Sequence, residues 1–212
     1  MKLLLVLACF LAACLASPHP CYTPPLLTGA LTISTQNEEL WAYARYLYDG
    51  MGQRLRLFEL VDYKNKTMNI DLLLLFREGV VYEIADKERT CTKQPLHAQF
   101  HPAEVPKDAT LVGPAIVGSS SSPGEGLLVN TWTGDLPDKT GKYFITVTEF
   151  GCIPVSFLVH TPQFGWMAVN YFDNVKGITD PSLLELPAFC SNVPTKETQP
   201  VHFSKLFQQR TN

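Results

Sequence analysis

The stretch Ile70-Asp71-Leu72-Leu73-Leu74-Leu75-Phe76-Arg77-Glu78-Gly79-Val80-Val81-Tyr82-Glu83-Ile84-Ala85 reads as two strands joined by a tight turn. Ile70, Leu72, Leu74 and Phe76 fall on one face of the first strand and form the longest apolar face in the chain. Arg77-Glu78-Gly79 supplies the turn, and Val80 to Ala85 the return. Upstream, aromatic-rich Trp41 to Tyr48 ends at Asp49-Gly50, a strong hairpin signal. Arg54-Leu55-Arg56-Leu57 then alternates as a half-buried strand does. Downstream, Leu127 to Trp132, Tyr143 to Phe150, Ile153 to His160 and Trp166 to Phe172 continue the pattern. About eight short strands predict a mainly β protein of antiparallel sheets, a sandwich or partly closed barrel. The Pro- and Ser-rich stretch from Cys91 to Gly126 reads as a loop excursion holding at most one short element.

The chain has 212 residues, of which 46% are hydrophobic and 17% charged, so it is long and apolar enough to bury a core. Its net charge of −3 argues against nucleic acid as a partner, because phosphate binding needs a concentrated basic surface. Lys2 followed by an apolar run from Leu3 to Ala16 reads as a signal peptide over residues 1–16. Leu11-Ala12-Ala13-Cys14 also resembles a lipoprotein cleavage box. No later run is long enough to span a bilayer, so no transmembrane segment is expected in the mature protein.

Beyond the leader, four cysteines remain: Cys21, Cys91, Cys152 and Cys190. An even count in an exported chain predicts two disulfides, with three pairings open. Asn65-Lys66-Thr67 is a glycosylation sequon in a polar patch between strands. Catalytic signals are thin. The serines after Gly118 do not form a nucleophile elbow, and His97 and His101 sit in a stretch that ends in proline. Asp135, Asp138, Asp173 and Asp180 lie in turn-like settings that suit a hard cation or plain solvent.

Five segments together point to a family. They are Tyr48 to Arg56, Phe76 to Ile84, Thr90-Cys91-Thr92-Lys93, Gly151-Cys152-Ile153-Pro154-Val155, and Tyr171 to Ser182 leading to Cys190. In order and spacing they resemble the ependymin-related family, particularly its mammalian branch, over nearly the whole mature chain. The resemblance implies a secreted or lysosomal glycoprotein without catalysis. It implies two stacked antiparallel sheets around a deep apolar pocket, similar to bacterial lipoprotein carriers. It further implies a homodimer, calcium, a hydrophobic or lipid-like ligand, and the pairings Cys21–Cys152 and Cys91–Cys190. The additional cysteine pair of mammalian members is absent here.

Periodicity alone reads the apolar faces as a filled core; the resemblance favours a hollow between the sheets. The residues expected to line it are Leu72, Leu74, Val147, Val155, Phe157 and Met167. For calcium the expected ligands are Asp173 and Asp180. The expected domain runs from 17 to 190, followed by a tail over 191–212 that is loosely ordered or a short helix around Val201 to Phe207. The alternative function is an extracellular matrix or cell-adhesion glycoprotein with a filled core.

Overall fold

The computed structural model describes residues 18–63, 66–136, 141–161 and 164–196. The signal segment, the Asn65 acceptor, Asp138 and the Val201 to Phe207 stretch lie outside them.

Eleven strands are present among the described residues: β1 (Leu26–Thr35), β2 (Leu40–Asp49), β3 (Arg54–Tyr63), β4 (Lys66–Leu75), β5 (Val80–Ala85), β6 (Thr90–Pro95), β7 (Thr110–Gly118), β8 (Gly126–Asp135), β9 (Lys142–Thr148), β10 (Pro154–Thr161) and β11 (Gly165–Lys176). They form one antiparallel sheet in the order β6-β5-β4-β3-β2-β1-β11-β10-β9-β8-β7, not closed into a barrel. The two expected layers are thus two halves of one continuous sheet.

Three strands exceed what the pattern of residues predicts. β6 and β7 fall within the expected loop excursion, and β1 has no counterpart among the expected strands. β1 is the hinge between the halves, pairing with β2 on one side and β11 on the other. Its alternation of Leu27, Leu31 and Ile33 is interrupted by Gly29, which sits opposite a bulge in β11. A Cβ there would come within 2.7 Å of the Asn174 Oδ1 and 3.0 Å of the Tyr46 ring, so the glycine is a packing requirement. Tyr46 occupies the space above it and meets Tyr171 edge-on, with ring centroids 5.9 Å apart.

The register defines an inner face. Leu31 stands across from Ala44 on one side and Tyr171 on the other. The row continues through Leu57, Leu72 and Val169, all in the main buried cluster. β6 and β7 lie at opposite edges of the sheet, so the chain joining them must pass from edge to edge. This strap, residues 96–109, lies against the inner face. Leu96 and Ala98 join the main cluster. Phe100 stacks on Tyr48 and meets Phe76 edge-on, and the Ala103 N–H donates to the Tyr48 hydroxyl at 3.0 Å. The N-terminal segment pairs with the strap through Val105 N–H to Cys21 O at 3.0 Å, and Cys21 is bonded to Cys152.

A second cluster covers the outer face of the β2–β5 half. Leu47, Leu73, Tyr82 and Ile84 pack against Leu184 and Cys190 of the C-terminal segment, where 3-10 turns span Pro181–Leu184 and Ala188–Cys190. Cys91 on β6 is bonded to Cys190. The chain then returns to the free edge of β6, where the Lys196 N–H donates to Lys93 O at 2.9 Å. That contact blunts an otherwise exposed strand edge.

Candidate functional site

The inner face is the candidate site, and its chemistry is almost wholly apolar. Leu72 and Leu74 are 3% and 0% exposed and belong to the main cluster. Phe157 and Met167 pack against that cluster but remain half-buried, as do Leu55, Met68 and Tyr171. Val147 is buried in a separate cluster with Val105, Trp132 and Cys152. Val155 stands at a register shift between Pro154 and Ser156 of β10. The six residues singled out from the sequence are therefore split among three settings.

Val155 lines a cleft of about 620 Å³ where β10 and β11 both depart from regular pairing. Val117, Leu127 and Phe172 supply apolar walls, and Asp173 and Asn174 supply polar ones. Ile153 and Tyr171 line the cleft and also pack on the main cluster, so it borders the inner face. Asp173 has φ of +51°, a conformation that tightens the bulge. Asn174 accepts the Tyr46 hydroxyl proton and donates to Pro154 O at 3.0 Å.

The expected calcium ligands do not assemble a carboxylate site. Asp180 is the N-cap of the Pro181–Leu184 turn, its Oδ1 accepting from the Ser182 N–H at 3.1 Å and the Ser182 hydroxyl at 2.6 Å. Asp135 pairs at the surface with Lys142 at 3.1 Å. Among the described residues, no three His, Cys, Asp or Glu side chains gather where they could hold a metal ion.

The polar group that sequence reading missed is Glu59. Its strand neighbours at the same face are Leu57 and Val61, and it stands opposite Ala44 and Ile70. The residue is 3% exposed, and neither carboxyl oxygen has a hydrogen-bond partner among the described residues. Burial pushes its pKa up to about 8, and the charge of Asp71 adds to the rise. The signal was available in the alternation Leu55, Leu57, Glu59, Val61, which sets a carboxyl at an inward position. Burial likewise pushes the Tyr171 hydroxyl up to about 12, with a smaller contribution from Tyr48.

No helix among the described residues is long and apolar enough to cross a membrane. Among solved structures, an uncharacterized conserved protein from Thermus thermophilus aligns over 82% of this chain and 91% of its own, at 10% identity and TM-score 0.49. Sequence comparison is far more specific. Mammalian ependymin-related protein 1 of Mus musculus is 28% identical over 185 residues, covering 85% of this chain and 80% of that protein. Ependymin-2 of Carassius auratus is 33% identical over 209 residues, covering 97% of this chain and 96% of that protein. A model of the Ependymin family matches residues 64–190, from just after β3 to the cysteine that anchors the C-terminal segment. With that span and those relatives, the chain belongs to the ependymin family.

Proposed function

We propose that this chain is an exported glycoprotein that binds hydrophobic or lipid-like ligands against the inner face of its sheet, as a binding protein rather than an enzyme. It acts as a homodimer, carries glycan at Asn65, and works outside the cell or in the lysosome. The observation that carries the ligand reading is the incomplete cover of the inner face. Leu55, Met68, Phe157, Met167 and Tyr171 point inward and pack on the core, yet each stays half-buried. A fully filled interior leaves no such accessible row, because protein cores pack to crystal-like density. The cleft beside Val155 shares Tyr171 with that row.

Energetics fit a ligand with a long chain. Burial contributes about 0.8 kcal/mol per methylene, so ten methylenes supply ~8 kcal/mol before ordering costs. Such binding is broad, since apolar burial has no direction. Native mass spectrometry of the secreted protein, followed by organic extraction, tests the proposal. Wild type is expected to carry or take up lipid, and Phe157→Asp to take up none while Phe157→Trp takes up less. A folded Phe157→Asp variant with unchanged uptake, judged by circular dichroism, overturns the placement.

An adhesive role is the second reading, and one observation favours it. Trp41, Tyr43 and Leu60 stand 47%, 41% and 38% exposed on the outer face, with Tyr43 directly opposite Leu60. That reading predicts no lipid uptake by wild type.

A further inference from the structure

Both carboxyl oxygens of Glu59 are buried without a hydrogen-bond partner among the described residues, as are the Asn130 Oδ1 and the Trp132 Nε1. A buried carboxyl with no hydrogen bond costs several kcal/mol, and native proteins rarely keep one without a use. Its surroundings explain the cost. Ala44 across from it ends at Cβ, and Ala42 beside Ala44 is equally short. Nearby on the same face, Leu55 and Met68 stay half-buried.

The sheet positions that face Glu59 carry no basic side chain, and the strap carries charges of both signs. β2 presents the Tyr46 and Tyr48 hydroxyls, the first donating to Asn174 and the second accepting from Ala103. β4 presents Met68, Ile70, Leu72 and Leu74, while its Asp71 points to the outer face and is held by Arg56. β5 presents Glu83, whose carboxyl burial pushes up. β11 contributes the Tyr171 hydroxyl, and the strap contributes His97, His101, Glu104, Lys107 and Asp108 at its exposed or half-buried positions. No lysine or arginine occupies an inward position from Leu27 to Ile33, Leu40 to Tyr48, Leu55 to Val61 or Met68 to Leu74.

We propose that Glu59 is the head-group residue of this inner face, and that it selects amphiphiles bearing a protonated amine over those bearing a carboxylate. This rests on the ligand-binding reading and deepens it. A fatty acid finds no lysine or arginine at these inward strand positions to receive its charge. An alkyl ammonium brings three donors to an unpaired acceptor, in surroundings where a charge-assisted hydrogen bond is strong. The carboxyl holds a proton near neutrality when nothing is bound. Binding then releases it: –COOH plus R–NH₃⁺ gives –COO⁻ paired with R–NH₃⁺ plus one H⁺. Affinity for the amine therefore falls about tenfold for each pH unit below about 8, until only the contribution of the apolar chain is left.

The test uses delipidated full-length protein and displacement of a fluorescent apolar probe by dodecylamine, dodecanol or dodecanoic acid. At pH 7.5, wild type is expected to bind dodecylamine at least about tenfold tighter than dodecanoic acid, with dodecanol between them. Between pH 7.5 and 5.5 dodecylamine should lose about a hundredfold, while dodecanol stays constant. Glu59→Gln should still take up the fluorescent apolar probe, which shows that the apolar face is intact, and lose both the amine preference and its pH slope. Equal binding of amine and acid by wild type, or an unchanged amine preference in Glu59→Gln, overturns the head-group assignment alone. Failure of all three to bind wild type removes the ligand-binding function and the assignment with it.

Discussion

Arg56 and Glu59 lie three residues apart on β3 and point to opposite faces of the sheet. Both are nearly inaccessible, at 7% and 3% exposure. Their treatment differs completely. Arg56 donates to both carboxylate oxygens of Asp71 at 2.9 and 2.7 Å, and to Leu183 O at 2.6 Å, and it lies 4.7 Å from the centre of the Phe58 ring. Glu59 has no hydrogen-bond partner among the described residues. The outer charge belongs to a finished structural joint, where Arg56 and Arg54 donate to carbonyls of the C-terminal segment. Arg54 is also the partner of Asp49: burial pushes that carboxyl up, but the Gly52 N–H and the Arg54 guanidinium outweigh it and hold it below its ordinary value. Burial by itself therefore does not mark a functional charge in this fold. What separates the two is whether the chain itself supplies the partner.

Removing the finished joint should have the largest effect. Arg56→Ala leaves the Asp71 carboxylate and the Leu183 carbonyl without their donor under the C-terminal segment. Breaking a buried pair from one side costs roughly 3–5 kcal/mol. Urea unfolding should show this as a lower midpoint, with Arg56→Lys between the two because it cannot reproduce the bidentate geometry. A loss below about 1 kcal/mol would mean that the joint is ornamental.

The unfinished side should respond in the opposite direction. The folded-state pKa of Glu59 is about 8 against an ordinary 4.5. A raised carboxyl pKa means that folding favours the protonated form. Its contribution to stability is fully present below about pH 4.5 and is lost as pH climbs through 8. Glu59→Gln stays neutral throughout. Ligand-free Glu59→Gln should match wild type near pH 4 and exceed it by a few kcal/mol at pH 8.5, on the order of 1.4 kcal/mol for each pH unit that separates the folded and unfolded pKa. Thermal melts across that range check it. Parallel curves for the two proteins would mean that Glu59 finds water or a partner in solution.

How much of this was legible in the sequence varies with the element. β4 and β5 announce themselves, since Leu72 to Leu75 and Val80 to Ile84 combine strand residues with a Gly79 turn at φ +64°. β1 hides because Gly29 breaks its apolar row, and because its partners β2 and β11 are adjacent and remote in sequence respectively. The edge strands β6 and β7 hide for another reason: half of their pairing is absent, and Pro95 and Pro114 sit where an inner strand would forbid them. In the site, the apolar identities of Leu72, Leu74, Phe157 and Met167 were readable from period two. Their division between filled and half-open surroundings was not, because it depends on the strap over residues 96–109 and the β10–β11 irregularities. Glu59 was readable in principle, yet a single acidic residue in an alternating strand looks like an outward one until its register is fixed.

The smallest expected effect separates capping from clamping at the outer joint. Asp180 shapes the turn that carries Leu183 and Leu184, whose carbonyls accept from Arg56 and Arg54. Asp180→Ala removes two hydrogen bonds to Ser182, in a setting where both residues are exposed. Loss of such a cap costs about 1 kcal/mol, because water takes over the freed donor. The arginine contacts go to backbone carbonyls and survive the change, so global stability should hardly move. Local opening should increase instead, with hydrogen exchange rising about fivefold at Leu183 and Glu185 while β3 and β4 keep their protection. Asp180→Asn, which still offers an acceptor, should restore most of it. If β3 loosened together with the turn, cap and clamp would be a single cooperative unit, and the cost of Arg56→Ala would have to be shared between them.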